Sequence, residues 1–175
     1  MSLRERNLAL YGTVSDRPRL DWNWVDQQLE GAGTYWVVAP TPGHPHPRPV
    51  WGVWIDEKLQ LSVGSPGLRT CLTNGTPVTV HLDSGSDVVI IEGHARLGPT
   101  DAGALAAYDR KYDWKYDLDA YGPLIVVLPE KVLAWRSAGP AGRDGFASTG
   151  CWVSTEPATG QTAVHPHPSF PEPDR

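Results

Sequence analysis

The chain has 175 residues, 40% of them hydrophobic and 20% charged, a composition that fits one globular domain with a real core. Its formal net charge is -5 and it has no cluster of Lys and Arg, so nucleic acid is a poor candidate partner, because neutralising phosphates requires clustered positive charge. No stretch approaches the length of a membrane span, so no membrane partner is expected. The N-terminus lacks the apolar core of a signal peptide, and Cys71 and Cys151 form neither a metal-ligand spacing nor a disulfide framework, so we expect a cytoplasmic location.

The first part of the chain predicts an arm followed by one helix. Residues 1–20 are polar and irregular and are expected to form an N-terminal arm. Asp21 can accept hydrogen bonds from the first backbone N–H groups of a helix that ends at Gly31, with Val25 and Leu29 on its apolar face.

Short runs of β-branched and aromatic residues, separated by turn signals, predict about six strands. The turn at 84–87 joins two of these strands into the clearest hairpin of the chain. The last long strand is expected to be interrupted at Pro129, which suggests a bend or a switch between sheet segments, and to resume through Trp135. Residues 151–153 are a final strand fragment. The predicted strands are 34–40, 48–56, 58–64, 77–83, 88–98 and 124–137.

Two further helices are predicted between the strands. Ser65 is a good N-cap, Pro66 suits the first helical position, and Asn74 with Gly75 stops this short helix. Thr100 is expected to cap a second helix, which runs from about 101 to 116 and carries several aromatic residues. These aromatic residues either roof a substrate cavity or simply pack over the end of the sheet.

Many short strands joined by tight turns predict a mainly β domain over residues 21–153, either a closed or partly closed barrel or a sandwich. There is no alternation of strands and helices and no glycine-rich dinucleotide fingerprint, so a Rossmann domain is not expected. Residues 154–175 are rich in Pro, His and Thr and predict an extended or disordered tail.

One segment combines a helix start with two Arg and three hydroxyl side chains. Arg48 opens a strand, Ser62 ends the next strand, Ser65 caps the short helix, and Arg69 and Thr70 lie one turn into it. The N-terminus of a helix is an anion site, and Arg can hold a phosphate with two hydrogen bonds, so these side chains together would hold a phosphate. The alternative is that Ser65 is only a cap and that both Arg are solvated.

The strand after Arg48 supplies a flat lining for a planar ring. Pro49, Val50 and Trp51 follow Arg48, and a tricyclic ring could lie along them and take hydrogen bonds from their backbone. The alternative is an ordinary buried strand.

Neither a metal site nor a catalytic set of side chains is predicted. Each of His44, His46, His165 and His167 is followed by Pro, which favours stiff loops over a metal centre. No Ser–His–Asp order or nucleophile elbow is present.

Several motifs, taken in this order, resemble the pyridoxamine 5'-phosphate oxidase-like split-barrel superfamily. The resemblance covers roughly residues 20–152 and is greatest to the actinobacterial flavin/deazaflavin oxidoreductases of that superfamily. The motifs are YWVV (35–38), PGHPHPRPVWGVWID (42–56), LSVGSPGLRT (61–70), VTVHLDSGSDVVIIEG (78–93) and PEKVLAW (129–135).

The resemblance implies a six-stranded split β-barrel and a homodimer that binds FMN or the deazaflavin coenzyme F-420 at its interface. It matches the strand from Arg48 to Trp51 to the ring-lining strand of relatives, and Ser62 to the hydroxyl at the end of the next strand. It matches Arg69 and Thr70 to a basic pair that holds the phosphate, and Thr70 departs from that pattern.

The resemblance also implies a function. The expected activity is hydride transfer between the cofactor and a small conjugated substrate, and the alternative is non-catalytic binding or storage of FMN, coenzyme F-420 or haem. Because the cofactor performs the chemistry in such proteins, the lack of a catalytic set is expected. The C-terminal substrate signature of true pyridoxamine phosphate oxidases has no counterpart here, so vitamin B6 oxidation is not expected.

Overall fold

A computed structural model describes residues 2–6, 18–40, 44–99, 101–140 and 143–155, together with the backbone of 9–10 and 13–14. The predicted tail lies outside these residues from 156 onward. The strands are β1 (Leu3–Glu5), β2 (Ala9–Leu10), β3 (Thr13–Val14), β4 (Tyr35–Ala39), β5 (His46–Ile55), β6 (Lys58–Ser62), β7 (Asn74–His81), β8 (Asp87–Leu97), β9 (Ile125–Ser137) and β10 (Phe146–Ser154). The helices are α1 (Trp22–Gly31), α2 (Pro66–Cys71), α3 (Ala102–Tyr112) and α4 (Leu118–Tyr121).

Six antiparallel strands close into a barrel. The strand order is β9-β6-β5-β4-β7-β8, and β8 pairs back onto β9 along its whole length. Closure removes the exposed sheet edges that a six-stranded open sheet would present. The predicted six-stranded barrel is confirmed, with four short helices in the described part of the chain instead of two or three.

Two more strands extend the sheet beyond the barrel. β10 pairs with the second half of β9, and β1 pairs with β10 through the partners Leu3 and Ser154. The prediction that residues 1–20 are irregular is therefore wrong for Leu3–Glu5, and the fragment predicted at 151–153 is a nine-residue strand. β1 is a strand because β10, at the other end of the described chain, supplies its hydrogen bonds, and its own composition carries no signal for this. β10 is longer than predicted because it pairs with β9 from Phe146 to Val153.

β9 runs unbroken through Pro129. Gly93 of β8 is opposite Pro129, while Glu92 is opposite Lys131, so Glu130 is an extra residue in β9. This β-bulge accommodates the missing N–H of proline within a long strand, so the predicted interruption is wrong. The predicted switch between sheet segments is found, because β9 pairs with β6 before Pro129 and with β10 after it. The Glu130 carboxylate pairs with Nδ1 of His94 at 3.1 Å on the neighbouring strand.

The residue that caps the start of α1 is the predicted one, whereas the cap of α3 is a different residue. The Asp21 side chain accepts from the N–H of Asn23 at 2.9 Å and caps α1 as predicted. The cap of α3 is Asp101, which accepts from the N–H of Ala104 at 2.6 Å, whereas the predicted cap, Thr100, lies outside the described residues. No helix among the described residues is long and apolar enough to cross a membrane.

α3 ends four residues before the predicted position. Asp113 adopts a left-handed conformation with φ of 48°, and the side chain of Asp109 accepts from the N–H of Tyr116 at 2.7 Å. Asp tolerates this conformation better than most residues, so the chain turns here and continues into α4. The turn separates the aromatic residues of this region into two groups, described below.

The buried apolar side chains form one cluster in the barrel and a smaller one under α3. Alternate residues of each strand fill the barrel, as the two-residue period of a strand requires. The smaller cluster joins the outer face of β5 to α3 and to the start of β9. Its buried members are Val53, Ala104, Tyr108, Tyr116 and Leu124.

The bulge provides a test of the barrel closure. A Cβ added at Gly93 would lie 2.2 Å from the carbonyl oxygen of Leu128, so Gly93→Ala must displace the β9 backbone. We expect the free energy of unfolding to fall by about 1–3 kcal/mol, the usual cost of overpacking. Urea denaturation measures this change. Gly85→Ala is the control, because a Cβ there meets nothing within 4 Å. Equal stability of the two variants would contradict this account of the bulge.

Candidate functional site

A cavity of about 330 Å³ lies between β5, the segment that joins β6 to α2, and the aromatic residues of α3 and α4. This volume is near the lower end of the range for small-molecule sites. Six of its lining residues were predicted from the sequence to bind the cofactor, namely Arg48, Pro49, Val50, Trp51, Ser62 and Ser65. The others are Val63, Gly64, Leu68, Tyr108, Trp114 and Tyr121.

The pairing of β5 explains why a flat surface faces this cavity. Residues 46–50 of β5 pair with β4, and the ladder between β5 and β6 stops at the pair Trp51 and Ser62. On the β6 side, residues 46–50 therefore have no strand neighbour among the described residues. Backbone groups at such an edge can hydrogen-bond a planar ligand as a further strand would.

The register brings the two parts of the predicted site together. Trp51 lies directly opposite Ser62, so the ring-lining strand and the first hydroxyl share one end of the cavity. Ser65 occupies the N-cap position of α2, and its side chain makes no capping hydrogen bond. Ser65 is exposed at the cavity, where its hydroxyl can contact a ligand. That these residues bind a cofactor stays a prediction.

Arg69 and Thr70 do not line the cavity. The Arg69 guanidinium donates through Nη2 to the carbonyl oxygen of Pro123 at 2.7 Å, and Thr70 donates to the carbonyl oxygen of Pro66 at 2.9 Å within its own helix. The other terminal nitrogen of Arg69, Nη1, is buried and has no hydrogen-bond partner in the described part of the chain. The Arg69 side chain therefore supports the segment that follows α4 and keeps one donor available.

Arg48 folds back along its own strand. Its Nη1 donates to the carbonyl oxygen of Pro47 at 3.0 Å, and its Nη2 lies 3.0 Å from Nδ1 of His46. Arg48 and His46 are both exposed, so the guanidinium can turn toward a ligand at little cost. Among the described residues, no group of three or more His, Cys, Asp or Glu side chains is placed to hold a metal ion.

The aromatic residues after β8 form two groups with different roles. Tyr108 and Tyr116 are buried and pack edge-to-face at 5.0 Å, whereas Trp114 and Tyr121 are exposed and line the cavity. Both alternatives predicted for these aromatic residues are therefore found: some pack on the barrel, and some line the cavity. The left-handed turn at Asp113 produces this division, and the sequence gives no clear signal for it.

Trp51 is the centre of the aromatic wall. Its ring stacks on Tyr112 with centroids 4.7 Å apart, and the edge of Trp114 contacts it at 5.8 Å. Trp51 nevertheless remains 44% exposed, an unusually large fraction for an indole in contact with two other rings. The exposed part of the indole is available for a planar ligand or for a partner surface.

Tyr108 lines the cavity and has a buried hydroxyl close to Ser62. The residue is fully buried, and its Oη has no hydrogen-bond partner among the described residues. Burial raises the pKa of Tyr108 to about 12, and the nearby Ser62 side chain partly opposes this rise. The two hydroxyls are thus close, although they do not have hydrogen-bond geometry. Tyr108 is among the aromatic residues expected either to roof a cavity or to pack over the sheet, and it does both, whereas its proximity to Ser62 has no local signal in the sequence.

Tyr112 fixes α3 to β5 beside the cavity. Its hydroxyl accepts from the backbone N–H of Gly52 at 2.9 Å, and its proton is shared between the carbonyl oxygens of Gly52 at 2.9 Å and Gly33 at 3.1 Å. Gly52 is buried just beyond the part of β5 that pairs with β4, so the tyrosine satisfies backbone groups that β4 does not reach. Burial raises the pKa of Tyr112, and the Gly52 hydrogen bond opposes the rise.

This arrangement predicts a stability effect. Tyr112→Phe leaves the buried N–H of Gly52 without a partner, and we expect a loss of about 1–3 kcal/mol in the free energy of unfolding. Tyr121→Phe is the control, because Tyr121 is 43% exposed and its loss of a hydroxyl is expected to change stability by less than about 0.5 kcal/mol. Urea denaturation of both variants measures the difference, and an unchanged stability for Tyr112→Phe would show that water replaces the hydroxyl.

Comparison with known proteins identifies the architecture. No family model and no curated protein matches the chain. Solved structures do match: an FAD-binding protein from Mesorhizobium loti has a TM-score of 0.52 at 16% identity, covering 77% of this chain and 96% of that one. An FAD and haem binding protein from Mycobacterium smegmatis has a TM-score of 0.50 at 18% identity, covering 78% and 72%.

A third similar structure carries a different name. A putative pyridoxamine 5'-phosphate oxidase from Listeria innocua has a TM-score of 0.50 at 18% identity, covering 64% of this chain and 95% of that chain. Sequence identities this low establish a shared fold and do not show that the proteins bind the same ligand. The chain therefore has the split-barrel fold that flavin-binding and pyridoxamine 5'-phosphate oxidase-like proteins use, as the sequence resemblance predicted.

Proposed function

We propose that this chain binds a flavin-type cofactor, either FMN or coenzyme F-420, in the cavity beside β5 and transfers a hydride between that cofactor and a small conjugated molecule. The observation that carries the proposal is the meeting of a flat strand edge, an exposed indole and two hydroxyls in one cavity of ligand size. The proposed location is the cytoplasm, in agreement with the free thiols of Cys71 and Cys151.

The residues present fit such a cofactor in two ways. The edge of β5 from Pro49 to Trp51 suits the ring, and the hydroxyls of Ser62 and Ser65 suit a phosphate or the adjoining chain. Tyr108 lines the cavity, and its buried hydroxyl has no partner within the described residues, as is expected where a polar ligand binds. When bound, the cofactor supplies the hydride chemistry, and the protein supplies position and exclusion of water.

The similar structures support the same ligand class. Two of them are named as FAD-binding proteins, one of these also as haem-binding, and the third is named as a putative pyridoxamine 5'-phosphate oxidase. We extend flavin-type binding to this chain as a proposal. Oxidation of a vitamin B6 phosphate is not part of it, because the substrate signature of that enzyme is missing from the sequence.

Non-catalytic binding or storage of FMN, coenzyme F-420 or haem is the second candidate function. It is favoured by the composition of the cavity wall, whose twelve lining residues include no carboxylate and no histidine that could act as acid or base. Turnover separates the two candidates. Oxidation of the reduced cofactor by an added enone or tetrapyrrole acceptor supports an enzyme, and binding without turnover supports storage.

A homodimer with the cofactor at its interface is also proposed. Trp51, Trp114 and Tyr121 are each more than 40% exposed and adjoin one another, an apolar surface of the kind that a partner normally covers. Sedimentation velocity is therefore expected to give twice the mass of one chain. A single-chain mass, with or without cofactor, would contradict the dimer while leaving cofactor binding open.

Cofactor titration tests the site directly. The protein is titrated with FMN and with coenzyme F-420, and saturable binding of at least one at micromolar concentration is expected. If Arg69 Nη1 contacts the phosphate, Arg69→Ala should weaken binding by about 1.5–3 kcal/mol, which is the range for a hydrogen bond to a charged group.

Arg143→Ala is the control, because it makes the same substitution at an arginine away from the cavity lining. The Arg143 side chain is 76% exposed and pairs with Asp144. Its cofactor affinity should equal that of the wild type. Failure of the wild type to bind either cofactor would refute the proposed function. Equal affinity of Arg69→Ala and the wild type would move the phosphate contact to Arg48 and the Ser hydroxyls.

A further inference from the structure

Three tyrosines pack against one another beside the cavity, and one of them differs from the other two. Tyr112 and Tyr116 lie 4.7 Å and 5.0 Å from Tyr108, measured between ring centroids. The hydroxyl of Tyr112 bonds to the backbone of Gly52, and that of Tyr116 donates to the carbonyl oxygen of Gly122 at 3.0 Å. Tyr108 is the most deeply buried of the three, yet its hydroxyl has no partner among the described residues.

An unpaired hydroxyl in this position is costly for the protein alone. Burying a hydroxyl without a hydrogen bond destabilises the folded state, and buried tyrosines normally find a partner for this reason. A phenylalanine would keep the same ring contacts with Tyr112 and Tyr116 and avoid the cost. Packing therefore explains the ring of Tyr108 and does not explain its hydroxyl.

The location of Tyr108 indicates where its partner comes from. Tyr108 lines the cavity together with Ser62, and the two side chains are close enough for Ser62 to affect the pKa of Tyr108. Because burial raises that pKa to about 12, the phenol keeps its proton at neutral pH and acts as a donor. A ligand oxygen beside Ser62 would accept from it.

We propose that the Tyr108 hydroxyl donates a hydrogen bond to an acceptor oxygen that the bound cofactor presents beside Ser62, so that Tyr108 positions the ligand in the cavity. This inference rests on the proposed function, and it assigns a ligand contact to a helix that otherwise only packs on the barrel. The hydroxyl is unsatisfied in the ligand-free protein and is satisfied on binding. Ligand binding thus repays a cost that the folded protein carries.

The proposal predicts opposite effects of one substitution in the two states. Tyr108→Phe should leave the melting temperature of the ligand-free protein unchanged or raised, because it removes an unsatisfied group. The same variant should bind the cofactor about 2- to 10-fold more weakly, the range for losing one hydrogen bond. Consequently, the rise in melting temperature on adding saturating FMN or coenzyme F-420 should be smaller than that of the wild type.

Tyr116→Phe is the matched control. Its hydroxyl is bonded within the protein, so this variant should lower the melting temperature of the ligand-free protein and leave the affinity for the cofactor unchanged. A merely structural role of the Tyr108 hydroxyl would give Tyr108→Phe this same pattern.

The outcomes separate this inference from the proposed function. Weaker binding by Tyr108→Phe without loss of ligand-free stability supports the inference. Wild-type binding together with equal binding by Tyr108→Phe overturns it and leaves the proposed function in place. If the wild type binds none of FMN, coenzyme F-420 and haem, both are overturned together.

Discussion

The pairing of β9 with three different strands is the constraint on which the rest of the structure depends. Its first residues, from Ile125 to Val127, pair with β6 and close the barrel, while its second half carries β10. β8 runs along both halves. The extra residue at Glu130 lies between the two halves, where the strand changes its partner on one side. The barrel closes because β9 pairs with β6 on one side and with β8 on the other, and its remaining length carries β10 outside the barrel.

A similar change of partner on β5 creates the cavity. β5 pairs with β4 up to Val50 and with β6 from Trp51 onward, so each half of the strand has one side without a neighbouring strand among the described residues. One of these sides faces the cavity, and at the other Tyr112 from α3 satisfies the backbone of Gly52. The aromatic segment between β8 and β9 is thus fixed to the same strand that lines the site. Barrel geometry and cavity geometry are consequences of the same register.

Local patterns predicted much of this arrangement. The six barrel strands, the cap at Asp21 and the grouping of the β5 edge with Ser62 and Ser65 follow from alternation, turn chemistry and short spacings. The direction of the Arg69 side chain depends on Pro123, which lies 54 residues further along the chain. The position of the Tyr108 hydroxyl depends on the packing of α3, which brings it close to Ser62, 46 residues earlier. Local sequence patterns carry no information about such contacts. The pairing of Leu3–Glu5 with β10 escaped prediction for the same reason.

Under the proposed function, the distribution of polar groups favours a larger contribution to cofactor binding from the ring than from the phosphate. Thr70 carries no charge, and Arg69 already donates to the carbonyl oxygen of Pro123. A tricyclic ring buries at least as much surface as a Trp side chain, about 150–250 Å². At about 25 cal/mol per Å² that burial is worth about 4–6 kcal/mol, compared with about 1.5–3 kcal/mol for one charged hydrogen bond. In that proposal, the aromatic residues around Trp51 compensate for the uncharged Thr70, and the neutral donors Ser62 and Tyr108 orient the ligand.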